Sequence, residues 1–308
     1  LGPTDCYGRF NPIWRLIVTL ERLRIFVAVA ERQHVTAAAR ALNLTQSAVS
    51  NAIAALEAEH DVHLFDRVGR GVVLNQTGQA FLPEAKAVLA RAAAAEAALA
   101  DLSALRRGRL TVFASQTIAS YWLPRRLVAF HAAHPGIELD VQIGNTRQAA
   151  AAVLGGEAEI GLVEGAVDEP MLEQTRIGSD RLAVVVAPDH PWAGLRRLSA
   201  TDLTTSPWVL REAGSGTRST LEEAVRQAGI DPADLPVAMT LPSNEAVLAA
   251  AEAGAGATAL SESVAYASVA AGRLVTAPFQ LPERPFRLLR HFERYRSRAG
   301  DAFTAAMG

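Results

Sequence analysis

The chain lacks the residues that disulfide bonding, non-specific polyanion binding and membrane insertion would need. Its 308 residues include a single cysteine, Cys6, so no disulfide can form within the chain, and a reducing compartment is the simple inference. Lys86 is the only lysine, and the formal net charge of −2 excludes an overall basic character. The apolar patch around residues 13–18 is interrupted by Arg15 and is too short to span a membrane. We therefore expect a cytoplasmic protein with no membrane partner.

Half of the residues are hydrophobic and 20% are charged, which suffices for sizeable cores in a chain long enough for two or three domains. Residues 1–19 contain several glycines and prolines, and no cationic start precedes an apolar segment with a small-residue cleavage site. We expect this segment to be a disordered extension, or the product of a misplaced start codon, rather than a signal peptide.

Residues 36–57, TAAARALNLTQSAVSNAIAALE, predict two short helices joined by a tight turn. Thr36 and Thr45 are placed to cap them, because a threonine hydroxyl can accept from a free amide of the first turn. The second helix has an apolar stripe, and the face opposite this stripe has small, polar and nearly uncharged side chains. This face carries Gln46, Ser47, Ser50, Asn51 and Ala54. A helix in the major groove of DNA needs such short hydrogen-bonding side chains. An ordinary two-helix corner would show the same spacing, so this pattern alone is only moderately specific.

Residues 64–78, LFDRVGRGVVLNQTG, strengthen the DNA-binding interpretation. Arg67 and Arg70 flank Gly69, and strand-like residues follow, as in a β-hairpin with a basic tip. Residues 20–80 contain six arginines and six acidic residues, so DNA affinity must come from the arrangement of charges and from dimerisation. With the helix pair, this segment resembles the winged helix-turn-helix of the LysR-type transcriptional regulators, and the rest of the chain resembles their effector-binding domain.

The resemblance implies double-stranded DNA as the partner, read at an interrupted palindrome, with RNA polymerase as a further candidate partner. The residues expected to bind DNA are Thr36, Thr45, Gln46, Ser47, Ser50, Asn51, Arg67 and Arg70. The family usually has a glycine, in a left-handed turn, where Asp61 stands, and aspartate tolerates that conformation less well.

From Gln76 to Arg107 the pattern predicts one long helix, with Asn75 as its cap. Its apolar residues step by four and three in a heptad seam of Phe81, Ala85, Val88, Ala92, Ala95, Leu99 and Leu102. An exposed alanine-rich spacer is the alternative, but a single exposed helix would leave the large apolar residues at both ends of the seam in water. We predict a dimerisation helix, hence a homodimer, with a homotetramer as the larger assembly.

After Gly108 the pattern changes to alternating strands and helices, which imply mostly parallel sheets. Strands are expected at 110–114, 137–143, 159–163, 182–187, 207–211 and 286–292, and helices at 118–133, 146–155, 217–228, 244–253 and 297–306. The predicted fold class is α/β, with an N-terminal, mainly α winged helix-turn-helix domain. The resemblance implies a two-lobed C-terminal domain like the type 2 periplasmic binding proteins.

The predicted domains are an extension (1–19), a DNA-binding domain (20–78), a dimerisation helix (79–107) and an effector-binding domain (108–308). Within the last, lobe I comprises about 110–181 and 285–308, and lobe II about 182–284.

Several strand-to-helix junctions carry small hydroxyl or amide residues, and such junctions bind anions through free amides and helix dipoles. The candidate effector-binding residues are Ser115, Thr117, Asn145, Thr146, Gly214, Ser215, Gly216, Thr217, Arg218, Ser243 and Asn244. Each of them alone could be a helix cap, and Arg218 could equally point to solvent. The family resemblance adds that Ser115 and Thr117 stand where relatives place hydroxyls on the ligand. We expect a small polar or anionic effector in the cleft between the lobes.

The segment REAGSGTR, residues 211–218, resembles that of regulators of carbon fixation and of sulfur or cysteine metabolism. The sequence contains few residue patterns typical of other binding or catalytic sites, and we expect no cofactor and no metal. The pairs His60–His63 and His131–His134 lack the partners of a zinc site, and no histidine can be nominated for a catalytic triad. The competing functions are a small-molecule receptor or solute-binding protein without DNA binding and, third, an α/β enzyme; we do not expect an enzyme.

Overall fold

The computed structural model describes residues 18–69, 71–102 and 108–308, with the backbone alone at 97 and 100–102. Most of the predicted extension and Arg70 therefore lie outside the described residues, as does the side chain of Leu102. Contacts divide the chain into two compact units, with the boundary between Ala93 and Ala94.

The first unit combines a cluster of three helices, a hairpin and a long helix. Its elements are α1 (Leu20–Arg32), α2 (Val35–Ala41), α3 (Gln46–His60), β1 (Phe65–Val68), β2 (Gly71–Leu74) and α4 (Gln76–Leu102). As the apolar spacing predicts, Val49 and Leu56 of α3 are buried, in two clusters that share Ile53 and include Val29 and Phe26 of α1. Burial of this stripe leaves the polar face of α3 on the outside.

The helix ends of this unit follow the predicted capping in two of three cases. The Thr45 hydroxyl accepts from the Ala48 amide at 3.2 Å, which confirms the cap of α3. The Asn75 side chain accepts from the Gly78 amide at 2.9 Å, as predicted for α4. The predicted cap at Thr36 is wrong, because Thr36 lies inside α2. His34, whose backbone is extended, caps this helix instead, with its Nδ1 accepting from an amide at 3.3 Å.

The hairpin is anchored to the helices on several sides. The Leu64 amide donates to the Glu57 carboxylate at 2.7 Å, and the Val72 amide donates to the carbonyl of Gln33 at 3.1 Å. At Gly78, a Cβ would lie 2.1 Å from the carbonyl oxygen of Leu64, so only glycine allows α4 to start so close to the hairpin. The hairpin, which forms the wing, is therefore held by hydrogen bonds to α3 and to the end of α1, and not only by its own ladder.

Helix α4 uses the predicted seam in two ways. Phe81 and Ala85 pack into the core of the first unit, so they are not free for a partner helix. Val88 and Leu99 are 49% and 68% exposed. Only the later part of the seam thus offers an apolar surface to a second chain.

The second unit is α/β. Its strands are β3 (Gly108–Ser115), β4 (Ile137–Gly144), β5 (Ile160–Glu164), β6 (Leu172–Val186), β7 (Trp208–Arg211), β8 (Val237–Leu241), β9 (Thr258–Ser261) and β10 (Val275–His291). Its helices are α5 (Leu123–Ala133), after a π-helical turn (Ile118–Trp122), α6 (Thr146–Gly155), α7 (Gly216–Gln227), α8 (Asn244–Glu252), α9 (Glu262–Ala270) and α10 (Arg298–Met307). Single 3-10 turns occupy Thr201–Thr204 and Pro232–Asp234.

The strands form a six-stranded sheet in the order β4-β3-β5-β10-β6-β9 and a two-stranded sheet of β7 and β8. The expectation of mostly parallel sheets was wrong for the larger one. There β3 pairs in parallel with β4 and β5, but β10 runs antiparallel to β5 and β6, and β6 antiparallel to β9. The reason is that two long strands, β6 and β10, cross the whole unit in opposite directions.

Strand β10 begins well before the predicted residue 286. Its early part contains Pro278 and Pro282, which cannot donate to a ladder and therefore suggest a break. The register shifts that separate Thr276 from Gln280, and Gln280 from Glu283, accommodate both prolines. The pairing with β6 thus continues through two irregularities.

The second unit has two groups of hydrophobic cores. Two clusters each combine residues of 110–177 with residues of 286–307. Two other clusters lie entirely within residues 183–281. The expected lobe boundaries fall in the gap between these groups, where β6 and β10 cross. In the described ranges, no helix combines the length and apolar character that crossing a bilayer needs.

Candidate functional site

The outer face of α3 is solvent-exposed and uncharged. Gln46, Ser47 and Asn51 are exposed, and Ser50 is half-buried. Thr45, the cap, also hydrogen-bonds to the Ser47 hydroxyl at 3.1 Å, which holds two polar groups together at the start of the helix. This end of α3 presents donors and acceptors without a fixed charge.

The hairpin places an exposed cation on the same unit. Arg67 lies exposed on β1, opposite Val72 in the antiparallel register. No acidic side chain in the described part of the chain forms an ion pair with Arg67. The second predicted wing cation, Arg70, lies outside the described residues.

A buried ion cluster occupies the place where the strands of the two lobes cross. It consists of five charged side chains, Glu164, Asp180, Arg211, Glu212 and Arg284. Arg284 is almost fully buried; its Nε and Nη2 donate to the two oxygens of Asp180 at 2.8 and 2.5 Å. Its Nη1 donates to the Thr217 hydroxyl at 3.1 Å and lies 3.6 Å from the Glu164 carboxylate. One guanidinium thus joins β5, β6 and the start of α7.

Arg211 organises the other side of the cluster. It is buried, and its Nε and Nη2 donate to Glu212 at 2.8 and 3.0 Å. Its Nη1 donates to the side-chain oxygen of Asn244. The side-chain nitrogen of Asn244, Nδ2, in turn donates to the Thr117 hydroxyl at 3.2 Å. Burial acts to raise the pKa of Glu212, but hydrogen bonds from Arg211 and Asn145 outweigh it and hold this pKa below its ordinary value.

Glu164 lies at the end of β5, where Ser115 and Thr117 meet it. The Ser115 hydroxyl donates to its carboxylate. Burial raises the pKa of Glu164 above its ordinary value; Arg284 acts against this rise, and the nearby Asp180 adds to it. The carboxylate is therefore the member of the cluster whose charge is least favoured.

The backbone at Glu164 is equally confined. The Thr146 hydroxyl donates to its carbonyl oxygen at 2.7 Å, and a Cβ on Gly216 would lie 2.1 Å from that oxygen. Glycine at 216 is thus required for the start of α7 to approach the end of β5. A cavity of about 260 Å³ opens beside this contact, lined in part by Thr146, Gly214 and Ser215.

Comparison with known proteins decides the family. A family model described as "LysR substrate binding domain" matches residues 103–308, and one described as "Bacterial regulatory helix-turn-helix protein, lysR family" matches residues 20–79. The chain belongs to the LysR family.

Named relatives of this LysR-family regulator agree with the subgroup resemblance. A probable RuBisCO transcriptional regulator of Cyanidioschyzon merolae is 35% identical over 79% of this chain and 81% of its own length. The regulator CysL of Bacillus subtilis is 34% identical over 79% of this chain and 80% of its own. The regulatory domain of Synechocystis CcmR, solved in complex with 2-PG, is 26% identical with a TM-score of 0.59, covering 65% of this chain and 96% of that one. The resemblance to regulators of carbon fixation and sulfur metabolism is confirmed.

Family membership establishes a DNA-binding transcriptional regulator with an effector-binding domain, as predicted. The predicted fold class is confirmed as well. The described residues contain no group of three or more histidine, cysteine or acidic side chains that could hold a metal ion.

The effector-binding domain of this LysR-family protein brings together some of the predicted residues. Ser115, Thr117, Thr217 and Asn244 contact the buried ion cluster through their side chains. Asn145 donates to Glu212 at 3.1 Å and also caps α6 in a capping box.

Two other predicted effector residues form their hydrogen bonds away from the charged groups of the cluster. Ser243 caps α8 by accepting from the Ala246 amide at 3.1 Å. Arg218 donates to Glu222 at 2.7 Å and to the Arg211 carbonyl at 3.2 Å, so its guanidinium is engaged within lobe II. The role of each predicted residue in binding stays a prediction.

The five ions of the cluster were missed by the reasoning from sequence. Glu164 directly follows the predicted strand 159–163, so the rule that selected Ser115 and Asn145 could have selected it. Arg211 and Glu212 lie in the quoted segment 211–218 but precede its glycines. Asp180 and Arg284 lie inside long strands and face each other only through the β6–β10 register, for which the sequence carries no local signal.

Proposed function

We propose that this LysR-family regulator reads DNA through the start of α3 and contacts the phosphate backbone through its wing. The observation that carries the proposal is the exposed, uncharged face of Gln46, Ser47 and Asn51 on the same unit as the exposed Arg67. Short amide and hydroxyl side chains suit base edges, with Asn51 a candidate for adenine, and an arginine suits phosphate or the minor groove. Thr36, Thr45, Ser50 and Arg70 complete the proposed contacts.

The test compares two variants of the full chain on operator DNA recovered by selection from random sequence. Asn51→Ala removes a base contact, so we expect relaxed preference at one base pair, by about 1–3 kcal/mol if the contact is bidentate. Arg67→Ala removes a phosphate contact, so we expect weaker binding to all sequences and a salt slope lower by about one. Footprints and salt dependence that stay unchanged in both variants would reject this assignment.

We further propose a small anionic effector, held between the lobes by the hydroxyls and arginines around the buried ion cluster. The support is chemical: two buried guanidiniums, the hydroxyls of Ser115, Thr117 and Thr217, and the amide of Asn244 lie in one connected network. Such groups suit a carboxylate, sulfate or phosphate. The regulatory domain of CcmR was solved in complex with 2-PG, so 2-PG is a first compound to test. The lining of the neighbouring cavity adds Thr146, Gly214 and Ser215.

For the assembly we propose a homodimer through α4, with a homotetramer as the larger form. The exposed Val88 and Leu99 give α4 an apolar surface that pairing with a second copy would bury. A two-fold dimer would place two α3 helices on an interrupted palindrome.

The proposed domain boundaries are those expected from sequence: 20–78, 79–107 and 108–308, with lobe II at about 182–284. The gap between the two groups of cores supports the last of these.

We propose that the protein works in the cytoplasm, at the chromosome, and has no catalytic activity. The described relatives are regulators, and a turnover screen beside the DNA titrations would detect an enzyme.

A further inference from the structure

The hydrogen-bond network around Glu164 is closed by the protein itself. Ser115 donates to the carboxylate, Thr117 lies close enough to act on its pKa, and Arg284 lies 3.6 Å away. Among the described buried side chains, no polar atom lacks a partner. The groups best suited to an anionic effector thus already hold an anionic group, and that group belongs to the chain.

The charges of the cluster make a second anion difficult to add. Three carboxylates, Glu164, Asp180 and Glu212, face two guanidiniums, Arg211 and Arg284, so the fully ionised cluster carries a net charge of −1. Asp180 and Glu212 each hold one arginine through two hydrogen bonds, whereas Glu164 has only the longer contact to Arg284. Like charges in a water-poor site disfavour joint ionisation, so a further anion must act first on Glu164.

We propose that Glu164 is a built-in competitor of the effector: the effector's anionic group replaces the charged carboxylate on Ser115 and Arg284, and Glu164 takes up a proton as it does so. This inference rests on the proposed effector cleft. On this proposal Glu164 makes the site selective for anions over neutral molecules. Only an anion can replace the negative charge that Arg284 loses when Glu164 becomes neutral. It also makes effector affinity depend on pH.

The surroundings set the direction of that dependence. Glu164 faces Ser115 and Thr117 near the end of β3, Asp180 on β6, Arg211 on β7 and Arg284 on β10. Burial and Asp180 favour the neutral acid, while both arginines favour the carboxylate. A bound anion engages the arginines and so favours the neutral acid further. Binding therefore takes up a proton and weakens as the pH rises.

The test is calorimetric titration of the full chain with sodium sulfate, at constant ionic strength, between pH 6 and 8.5. Sulfate does not titrate in this range, so protons taken up go to the protein. Two buffers of different ionisation enthalpy give the number of protons directly. For the wild type we expect up to one proton per sulfate, and a Kd that rises by up to about tenfold per pH unit above the pKa of Glu164. A titration with 2-PG at pH 8, read from the affinity alone, extends the test to the compound that CcmR was solved with.

The key variant is Glu164→Gln, which keeps the shape and removes the charge. It should bind sulfate more tightly than the wild type at pH 8, with no proton uptake and a flat pH profile. Glu252→Gln is the matched control, since it makes the same change at a surface carboxylate paired with Arg273 at 2.9 Å. It should behave as the wild type does. The double variant Arg196→Ala/Arg197→Ala removes two arginines from a separate open groove and should also leave sulfate binding unchanged.

Tighter binding to Glu164→Gln, or binding to this variant alone, supports the inference. Equal affinities with no proton uptake by the wild type overturn it, and so does absence of sulfate and 2-PG binding in both proteins. None of these results bears on DNA recognition, which the footprints judge separately. Should Glu164→Gln fail to fold, proton uptake by the wild type decides the question by itself.

Discussion

At the scale of single residues, close backbone contacts and buried polar groups decide what can be changed. Gly78 and Gly216 are both glycines at which a Cβ would lie 2.1 Å from a carbonyl oxygen, one beside the hairpin and one at the start of α7. His190 is a different case, since its two ring nitrogens fix a loop of lobe II through different partners. Substitution of Gly78 and protonation of His190 should each change the stability of the protein.

We expect Gly78→Ala to destabilise the first unit by about 1–3 kcal/mol or more, because the Leu64 carbonyl would have to shift. DNA binding should weaken with it, since the wing is anchored at this point. Gly155→Ala is the matched control: it lies at the end of α6 with open space around its Cβ position, and should be neutral or slightly stabilising. Chemical denaturation of the full chain measures both, and equal stability of the two variants would contradict the close contact.

His190 should make lobe II less stable in mild acid. Its Nδ1 accepts from the Trp192 amide at 3.1 Å and its Nε2 lies 2.6 Å from the Ser206 hydroxyl. Burial lowers the pKa of His190, and the charge of Asp189 acts against this. The unfolded chain then binds a proton that the folded chain refuses, so this contribution is complete above about pH 6.5 and is lost as the pH falls below it.

Denaturation curves between pH 5 and 7.5 test this. The wild type should lose stability with falling pH more steeply than His190→Ala, which is less stable throughout. Parallel profiles for the two proteins would show that another group controls the acid response.

At the scale of elements, α4 divides its apolar seam between the core of the first unit and an exposed surface. Its first turns complete the core of the DNA-binding unit through Phe81 and Ala85, whereas Val88 and Leu99 remain exposed. Alanine dominates between them, which allows the close approach of a second helix. The prediction for this helix therefore concerns its later half.

Leu99→Glu should dissociate the dimer, because it would place an unpaired charge in an apolar seam. Ala93→Glu provides the control: Ala93 is exposed and lies on a different face of α4, so its variant should remain a dimer. Sedimentation at micromolar concentration reads the assembly, and a DNA titration reads its consequence. A wild type that sediments as a monomer, or a Leu99→Glu variant that sediments as a dimer, would refute the interface.

At the scale of the whole molecule, the question is how effector binding changes DNA binding. An effector shifts an equilibrium only by as much as its affinity differs between two states. Thr117 of lobe I lies next to Glu164 and hydrogen-bonds to Asn244 of lobe II, so it belongs to the groups that would feel a change between lobes.

Thr117→Val keeps the shape of the side chain and removes its hydroxyl. It leaves one donor of the buried Asn244 amide without its partner, at a cost of about 1–3 kcal/mol. We expect impaired response to the effector with DNA binding intact in its absence. Thr117→Ser, which retains the hydroxyl, should respond normally. If Thr117→Val and Ser115→Ala both respond as the wild type does across a panel of anions, the effector binds elsewhere.

Local patterns in the sequence were enough to place α3, its cap Thr45, the buried stripe of Val49 and Leu56, and the start of α4 at Asn75. Each of these depends on residues within about two helical turns, and spacing along the chain encodes such contacts directly. The same reasoning located the ends of β3 and β4, and so selected Ser115, Thr117 and Asn145.

Tertiary structure alone decided the direction of β10, the split use of the α4 seam and the assembly of the buried ion cluster. Arg284 meets Asp180 and Glu164 across 104 and 120 residues of chain, because β5, β6 and β10 are neighbours in one sheet. Burial then makes these charges matter, since it raises the pKa of Glu164 and forces every polar group to find a partner. Neither the pairing nor the burial has a signature in any local stretch of sequence.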